Sequence, residues 1–303
     1  MDEDLRDLVR ASVRSALESS PRPIGDALAD FGWAELAQTD EQFAFTTLFE
    51  TQGMLGAETD ALDVVTAATV GLDAPARVLW PLVSPVPDGS GEVEVVVHGV
   101  ALGHVSGAQL LAPIGGELVT VVPDDVTESP AGGMAASAGW VRVQVRGVAE
   151  GAVAPWATVE RRAWLATGSE LVGIAQRILD VAAEQVSQRK QFGQPIAVNQ
   201  AVRHKLAEAY AETVGARAIV ARAWEDGTSD AAAWARVVAA TSADVVGKHA
   251  MQVCGAIGLS EEHEVPRLVK RAFSIDALCR PSVTAAVGRR FLAGEAVAPV
   301  GGF

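Results

Sequence analysis

Two short stretches carry residue types that could do chemistry. The first reads Arg189-Lys190-Gln191-Phe192-Gly193-Gln194-Pro195-Ile196-Ala197-Val198-Asn199-Gln200, and sets two cations, an aromatic, a glycine and a proline between two long helical patterns. Basic residues favour helix C-termini and glycine the position just beyond, so this joint either merely turns the chain or holds a negatively charged ligand at the start of the next helix. The second, Gln252-Val253-Cys254-Gly255-Ala256-Ile257-Gly258, carries two glycines through which a ligand can approach bare backbone N–H groups. His98 and His104 have no acidic or cysteine partners at ligand spacing, and Cys254 and Cys279 have no zinc spacing. No metal site is expected. The cysteines read as small buried side chains in a reducing compartment.

Three blocks of elements must position these stretches. Leu5, Leu8, Val9, Val13 and Ala16 recur at steps of three and four, which predicts a helix over residues 2–19, with a second short helix after Pro23. Thr39-Asp40-Glu41-Gln42 has the pattern of a capping box for a third, running to about Gly56, and Ala61 to Val70 supplies a fourth. The prolines from Pro75 to Pro87 and Asp88-Gly89-Ser90-Gly91 end this helical domain, assigned to residues 1–75. Period-two or short apolar runs at Val93–His98, Gln109–Leu111, Leu118–Val122 and Val141–Val145 predict five or six strands of a reduced, β-barrel-like middle domain, 76–152. After a linker at Ala152 to Pro155, residues 153–303 read as a helical bundle. Its helices are expected at about Thr158–Gln188, Ala197–Glu225, Asp230–Cys254, one capped by Ser260, and about Ser282–Val297. The fold class is therefore α+β.

Composition excludes several functions. A net charge of −14 without a basic stripe repels phosphate backbones, so nucleic acid is not an expected partner. No window of roughly 18 apolar residues occurs, and the Met-Asp-Glu-Asp start lacks the basic residues and apolar core of an export signal. No membrane association is expected, and the location is read as cytoplasmic.

The two joints, in this order and followed by Glu262-His263 and the basic pair Lys270-Arg271, resemble the flavin-dependent acyl-CoA dehydrogenases. The match extends through Ala166, Glu170, Gly173, Arg189, Gln191, Phe192, Gly193, Pro195, Ile196, Gln200, Ala201, Val202, His204 and Leu206, and covers roughly the last 150 residues. The resemblance implies FAD as cofactor, with its ADP half gripped by the bundle of a neighbouring subunit. Arg189 would meet the pyrophosphate, Phe192 would pack on the cofactor, and Gln252, Gly255 and Ala256 would contact the adenosine side; Gln191, Gln200 and Gly258 complete the implied cofactor-binding set.

The family's reaction, α,β-dehydrogenation of an acyl thioester, needs a carboxylate base, and the chain departs there. The usual glutamate position falls at Cys279 and Arg280, and the alternative one, early in the first bundle helix, falls at Ala163. Glu160, one turn before Ala163, is the remaining weak substitute, with Glu170 and Asp276 weaker still. No intact Thr-Glu-Pro, Gly-Ser-Asp or Trp-Ile-Thr stretch lies between Leu79 and Gly151. The resemblance is thus to the short, base-lacking subunit of actinobacterial α2β2 acyl-CoA dehydrogenases of steroid and cholesterol catabolism. It implies a homologous partner bearing the catalytic glutamate, an acyl-CoA substrate and electron-transfer flavoprotein as acceptor. Two alternatives stand beside it: a self-sufficient homotetramer with a relocated carboxylate, and a flavin-free structural or regulatory partner subunit.

Overall fold

The computed structural model describes residues 2–19, 23–72, 75–81, 93–133 and 138–280. Five helices come first: α1 Glu3–Ser19, α2 Gly25–Asp30, α3 Trp33–Thr39, α4 Glu41–Leu55 and α5 Ala61–Thr69. Two short helices, α2 and α3, stand where one was expected. Asp40, not Thr39, caps α4: its carboxylate accepts from the Phe43 N–H at 3.0 Å, while the Thr39 hydroxyl donates back to the Glu35 carbonyl. A carboxylate is the stronger acceptor at a helix N-terminus, and the capping pattern moves by one residue.

The sheet comprises β1 Ala76–Val78, β2 Val93–Ala101, β3 Gln109–Ile114, β4 Glu117–Pro130 and β5 Val141–Pro155, in the order β1-β3-β4-β5-β2. Only β1 and β3 are parallel. Ala152 to Pro155, expected as a linker, continue β5 and pair with Glu117 to Val119 of β4, so the sheet hands over to the next helix without a gap. Along β5 the valines at 141, 143 and 145 enter the sheet's own core with Val95 and Val97, and Arg142, Gln144 and Arg146 face outward.

The bundle follows as α6 Trp156–Gln188, a two-residue hairpin of β6 Lys190–Gln191 and β7 Gln194–Pro195, then α7 Gln200–Asp226, α8 Ser229–Cys254 and α9 Glu264–Ala277. The cap of α9 is His263, whose Nδ1 accepts from the Val265 N–H; Ser260 instead accepts from the Glu262 N–H within the preceding turn. The helix expected over Ser282–Val297 lies outside the described residues. No helix among those described is long and apolar enough to cross a membrane.

Helix α6 is the centre of the molecule. Every residue from Ala163 to Ala175 is buried, as a helix surrounded on all sides requires. Where α4 crosses it, glycines bring the backbones together: a Cβ on Gly53 would fall 2.1 Å from the Glu170 carbonyl oxygen, and one on Gly173 would fall 2.1 Å from that of Glu50. Beside this crossing the Glu170 carboxylate is fully matched. Arg271 donates from Nε and Nη2 to Oε1 at 2.9 and 2.6 Å, and Gln52 Nε2 donates to Oε2 at 2.8 Å. Thr59 donates to Gln52, and the Arg271 guanidinium lies 5.5 Å from the centre of the Trp140 ring, just before β5. Breaking such a buried pair costs roughly 3–5 kcal/mol.

A second buried cluster ties the first helical unit to the sheet. Asp60 and Asp63 share one guanidinium, Arg77, at 2.9 and 3.8 Å, and the Trp80 indole N–H donates to Asp63 at 2.9 Å. Burial is the largest influence on Asp63 and pushes its carboxyl from 3.8 up to about 7, against the pull of Arg77 and Trp80. The folded chain therefore holds a proton there that the unfolded chain releases. Stability from this group is complete below about pH 4 and is lost as pH rises through 7, a change on the order of 4 kcal/mol. Denaturant unfolding at pH 5.5 and pH 8 tests this: Asp63→Asn should flatten the difference in stability between the two pH values relative to the unmodified chain.

Candidate functional site

The direction of the helices brings the two joints together. Helix α7 reverses α6, and α8 reverses α7 after the two residues Gly227 and Thr228, so α6 and α8 run parallel and end at the same side. Electrostatics place them in reach: burial raises the Cys254 thiol, and the Arg189 guanidinium acts on it in the opposite direction. Arg189, Gln191, Phe192, Gln200, Gln252, Gly255 and Ala256 are all exposed at this end, accompanied by the exposed apolar side chains of Val198, Ile257 and Leu259.

The hairpin between α6 and α7 is unusual in its tip. Phe192 and Gly193 have φ of 50° and 82°, the two left-handed positions of a type I′ turn. Glycine accepts that conformation freely, whereas phenylalanine is strained by roughly 1–2 kcal/mol. The ring is also fully exposed. The side chain therefore adds nothing to the core, and nothing in the packing accounts for the strain.

At the second joint Gly255 has φ 67° and ψ −145°, a region essentially restricted to glycine, and a Cβ there would meet nothing within 4 Å. The position is open on its outer side. Gly258 differs: it is buried, and a Cβ on it would lie 2.8 Å from the Cys254 Cβ. Its glycine serves the packing of the turn on α8 and offers no open backbone to a ligand. The remaining surface suits the ADP half of FAD, with a guanidinium fork for phosphate oxygens, an exposed ring for flat stacking and amide side chains for base and ribose.

The carboxylates fall elsewhere. Glu170 is held in the Arg271 and Gln52 network, and Asp276 is engaged by Arg236 at 3.4 Å and Arg280 at 3.1 Å. Cys279, at the usual base position, is buried with φ 60°; burial drives its thiol up to about 12, Glu160 adds to that, and Arg236 opposes it. Glu160 and Cys279 thus lie within electrostatic reach of each other, which no sequence spacing could have disclosed across more than a hundred residues. His98 lies on β2, and His104 pairs with Glu128 at 2.7 Å. Among the described residues no group of three or more His, Cys, Asp or Glu could hold a metal ion.

The described residues thus form a helical unit, a small sheet and an antiparallel bundle. Residues 155–276 match the family model described as acyl-CoA dehydrogenase, C-terminal domain, and the described chain has the fold of solved acyl-CoA dehydrogenases. The segment is similar to the acyl-CoA dehydrogenase IpdE2 of Mycolicibacterium smegmatis, 34% identical over 117 residues, which is 39% of this chain and 38% of that one. IpdE2 of Mycobacterium tuberculosis is 36% identical over 104 residues, 34% of this chain and 33% of that one. The matched stretch spans little more than a third of these relatives. Among solved structures, the Tcur3481-Tcur3483 steroid ACAD G363A variant aligns with TM-score 0.75 at 20% identity, covering 96% of this chain and 97% of that one. The ChsE4-ChsE5 complex from Mycobacterium tuberculosis aligns with TM-score 0.76 at 17% identity, covering 96% and 98%.

The strained tip gives a direct test. Phe192→Asn, which accepts the left-handed position, should raise unfolding stability by about 1 kcal/mol in denaturant melts.

Proposed function

We propose that the chain is one subunit of an FAD-dependent acyl-CoA dehydrogenase assembly, and that its bundle end holds the ADP half of an FAD whose ring is bound by a partner subunit bearing the catalytic glutamate. The observation that carries this reading is the contrast between the two family positions. Arg189, Phe192 and Gly255 are exposed at the shared end of α6 and α8, while the position where the family's glutamate is expected is a buried thiol, Cys279. In such an assembly the partner's carboxylate takes the α proton of the acyl thioester and the β hydrogen leaves as hydride to the flavin. This chain's part is binding: Arg189 orients the pyrophosphate, Phe192 covers the cofactor, and Gln252, Gly255 and Ala256 receive the adenosine side. The likeness of the fold to the steroid ACAD and to the ChsE4-ChsE5 complex supports a heteromeric partner and a steroid-derived CoA thioester as substrate class. Electron-transfer flavoprotein is the acceptor we assign.

Co-expression tests it. The chain alone should be colourless, and with a glutamate-bearing subunit from the same genome the complex should be yellow and reduce an acceptor dye with acyl-CoA. Arg189→Ala should weaken flavin retention in the complex by roughly tenfold to a hundredfold, the worth of a charge-assisted phosphate contact. Phe192→Asn should also lose flavin, despite its greater stability. Yellow, active protein from this chain alone overturns the proposal.

The proximity of Glu160 to Cys279 supports one second reading, in which Glu160 is the base of a self-sufficient enzyme. Under it the chain alone turns over, and Glu160→Gln lowers kcat by roughly a hundredfold or more. Unchanged turnover in that variant removes it.

A further inference from the structure

Helix α7 packs on α6 and α8 and turns its other side to solvent. An outward helix face is ordinarily charged or polar. This one is apolar: Ala207, Tyr210, Ala211, Val214, Gly215 and Ala218 follow one another around the same side of the helix, and all are exposed, Tyr210 by 59% and Val214 by 41%. The strip is about 17 Å long. Two of the charged residues between them turn back to the chain itself, Glu208 to His249 of α8 at 3.2 Å and Arg217 to Glu50 of α4 at 3.1 Å.

Gly215 sets this strip apart from an ordinary solvated face. Glycine loses more backbone freedom in a helix than alanine and packs nothing, so a helix interior carries one for a reason. Elsewhere in the long helices the reason is a close neighbour: a Cβ on Gly53, Gly173, Gly247 or Gly168 would lie 2.1, 2.1, 3.0 or 3.5 Å from another element. A Cβ on Gly215 would meet nothing within 4 Å. Nothing inside the chain calls for a glycine there, whereas a second helix crossing at that point does, as α4 crosses α6.

The charges at the two ends of α7 run against its own dipole. Its first turn holds a cation, Arg203, and no acid, and its last turn holds Glu225 and Asp226 and no cation. A helix favours the opposite order, which α8 and α9 follow by opening with Asp230 and Glu264 in their first turns. Arg203 precedes Ala207 by four residues and Glu225 follows Ala218 by seven, so both lie in line with the apolar strip. Beside an antiparallel copy of the same helix the order becomes favourable, because the Arg203 end of each helix meets the Glu225 end of the other. A parallel copy sets like charges together.

We propose that this face of α7 docks on the same face of a second copy of this chain, the two helices antiparallel about a twofold axis near Val214 and Gly215. A twofold axis sets one surface against itself, so the surface has to be self-complementary. Here the apolar middle meets the apolar middle, Gly215 lets the backbones approach, and the basic end meets the acidic end. That match at both ends is what singles out a second copy over an unrelated partner. The pairing is a property of the chain by itself and does not rest on the flavin reading.

Sedimentation equilibrium of the full chain alone tests it, with melting curves to confirm that each variant is folded. A concentration-dependent dimer of the 31.5 kDa chain is expected, and Val214→Glu should weaken it by roughly tenfold or more. Gly215→Ala should move two readouts in opposite directions, raising the Tm of the chain while weakening the dimer by about threefold or more. Arg203→Glu suits the dipole of the single helix yet should weaken the dimer by roughly threefold to tenfold, and adding Glu225→Arg to the same chain should restore it to within about twofold. Cross-linking under oxidised glutathione reads the direction. Val214→Cys, near the axis, should give a disulfide-linked dimer, whereas Ala207→Cys, whose two copies stand roughly 20 Å apart in the antiparallel pair, should not. Cys254 and Cys279 are buried and take no part.

The proposal fails if the chain is monomeric at every concentration, if Val214→Glu and Gly215→Ala leave the dimer intact, or if Ala207→Cys cross-links in place of Val214→Cys. A chain that is monomeric alone, and whose Val214→Glu variant loses a co-expressed glutamate-bearing subunit, gives the face to that subunit and equally overturns the pairing.

Discussion

A single buried carboxylate sets the geometry of this chain. Glu170 sits in the middle of α6 with one oxygen taken by Arg271 of α9 and the other by Gln52 of α4, and the Arg271 guanidinium rests over Trp140 at the start of β5. A charge in such a place is tolerated only when its partners are correctly aimed. The requirement fixes the angle and register of three helices and the approach of the sheet at once. The reciprocal crossing of Gly53 and Gly173 makes the approach close enough for Gln52 to reach, and the Asp60, Asp63 and Arg77 cluster repeats the same principle at the junction of α5 with β1.

From that centre the functional end follows. Because α6 and α8 run parallel, their C-termini fall side by side and two joints separated by some sixty residues of sequence become one surface. Three features meet there: a strained, exposed phenylalanine, an exposed arginine with no ion pair among the described residues, and a glycine in a region closed to other residues. The surroundings of Cys279 are as closed as this surface is open. Cys279 is buried under helix ends with Arg236 and Glu160 nearby, a dry setting for a thiol that stays protonated.

Much of this was legible in the residues. The three blocks and the helices α6, α7 and α8 followed from apolar spacing, because those helices bury one face or all of it in long regular runs; α1 followed too, although Leu5 and Leu8 of its expected face are exposed. What escaped was set by partners distant in sequence or by competition at a terminus. Ala152 to Pro155 look like a linker until β4 pairs with them. Asp40 outcompetes Thr39 and His263 outcompetes Ser260 as caps, choices that depend on backbone direction at the helix entry. Glu170 reads as one more helical glutamate, since Arg271 lies a hundred residues on, and nothing local separates Gly258, required for packing, from Gly255, which faces open space.

Helix α6 is also a ruler. Its 33 residues, at about 1.5 Å each, span roughly 50 Å from Trp156 beneath the sheet to Gln188 beside the grip, well beyond the width of a small domain. No single small molecule can lie along both ends. Any influence of one end on the other has to pass along a helix pinned near its midpoint by Glu170.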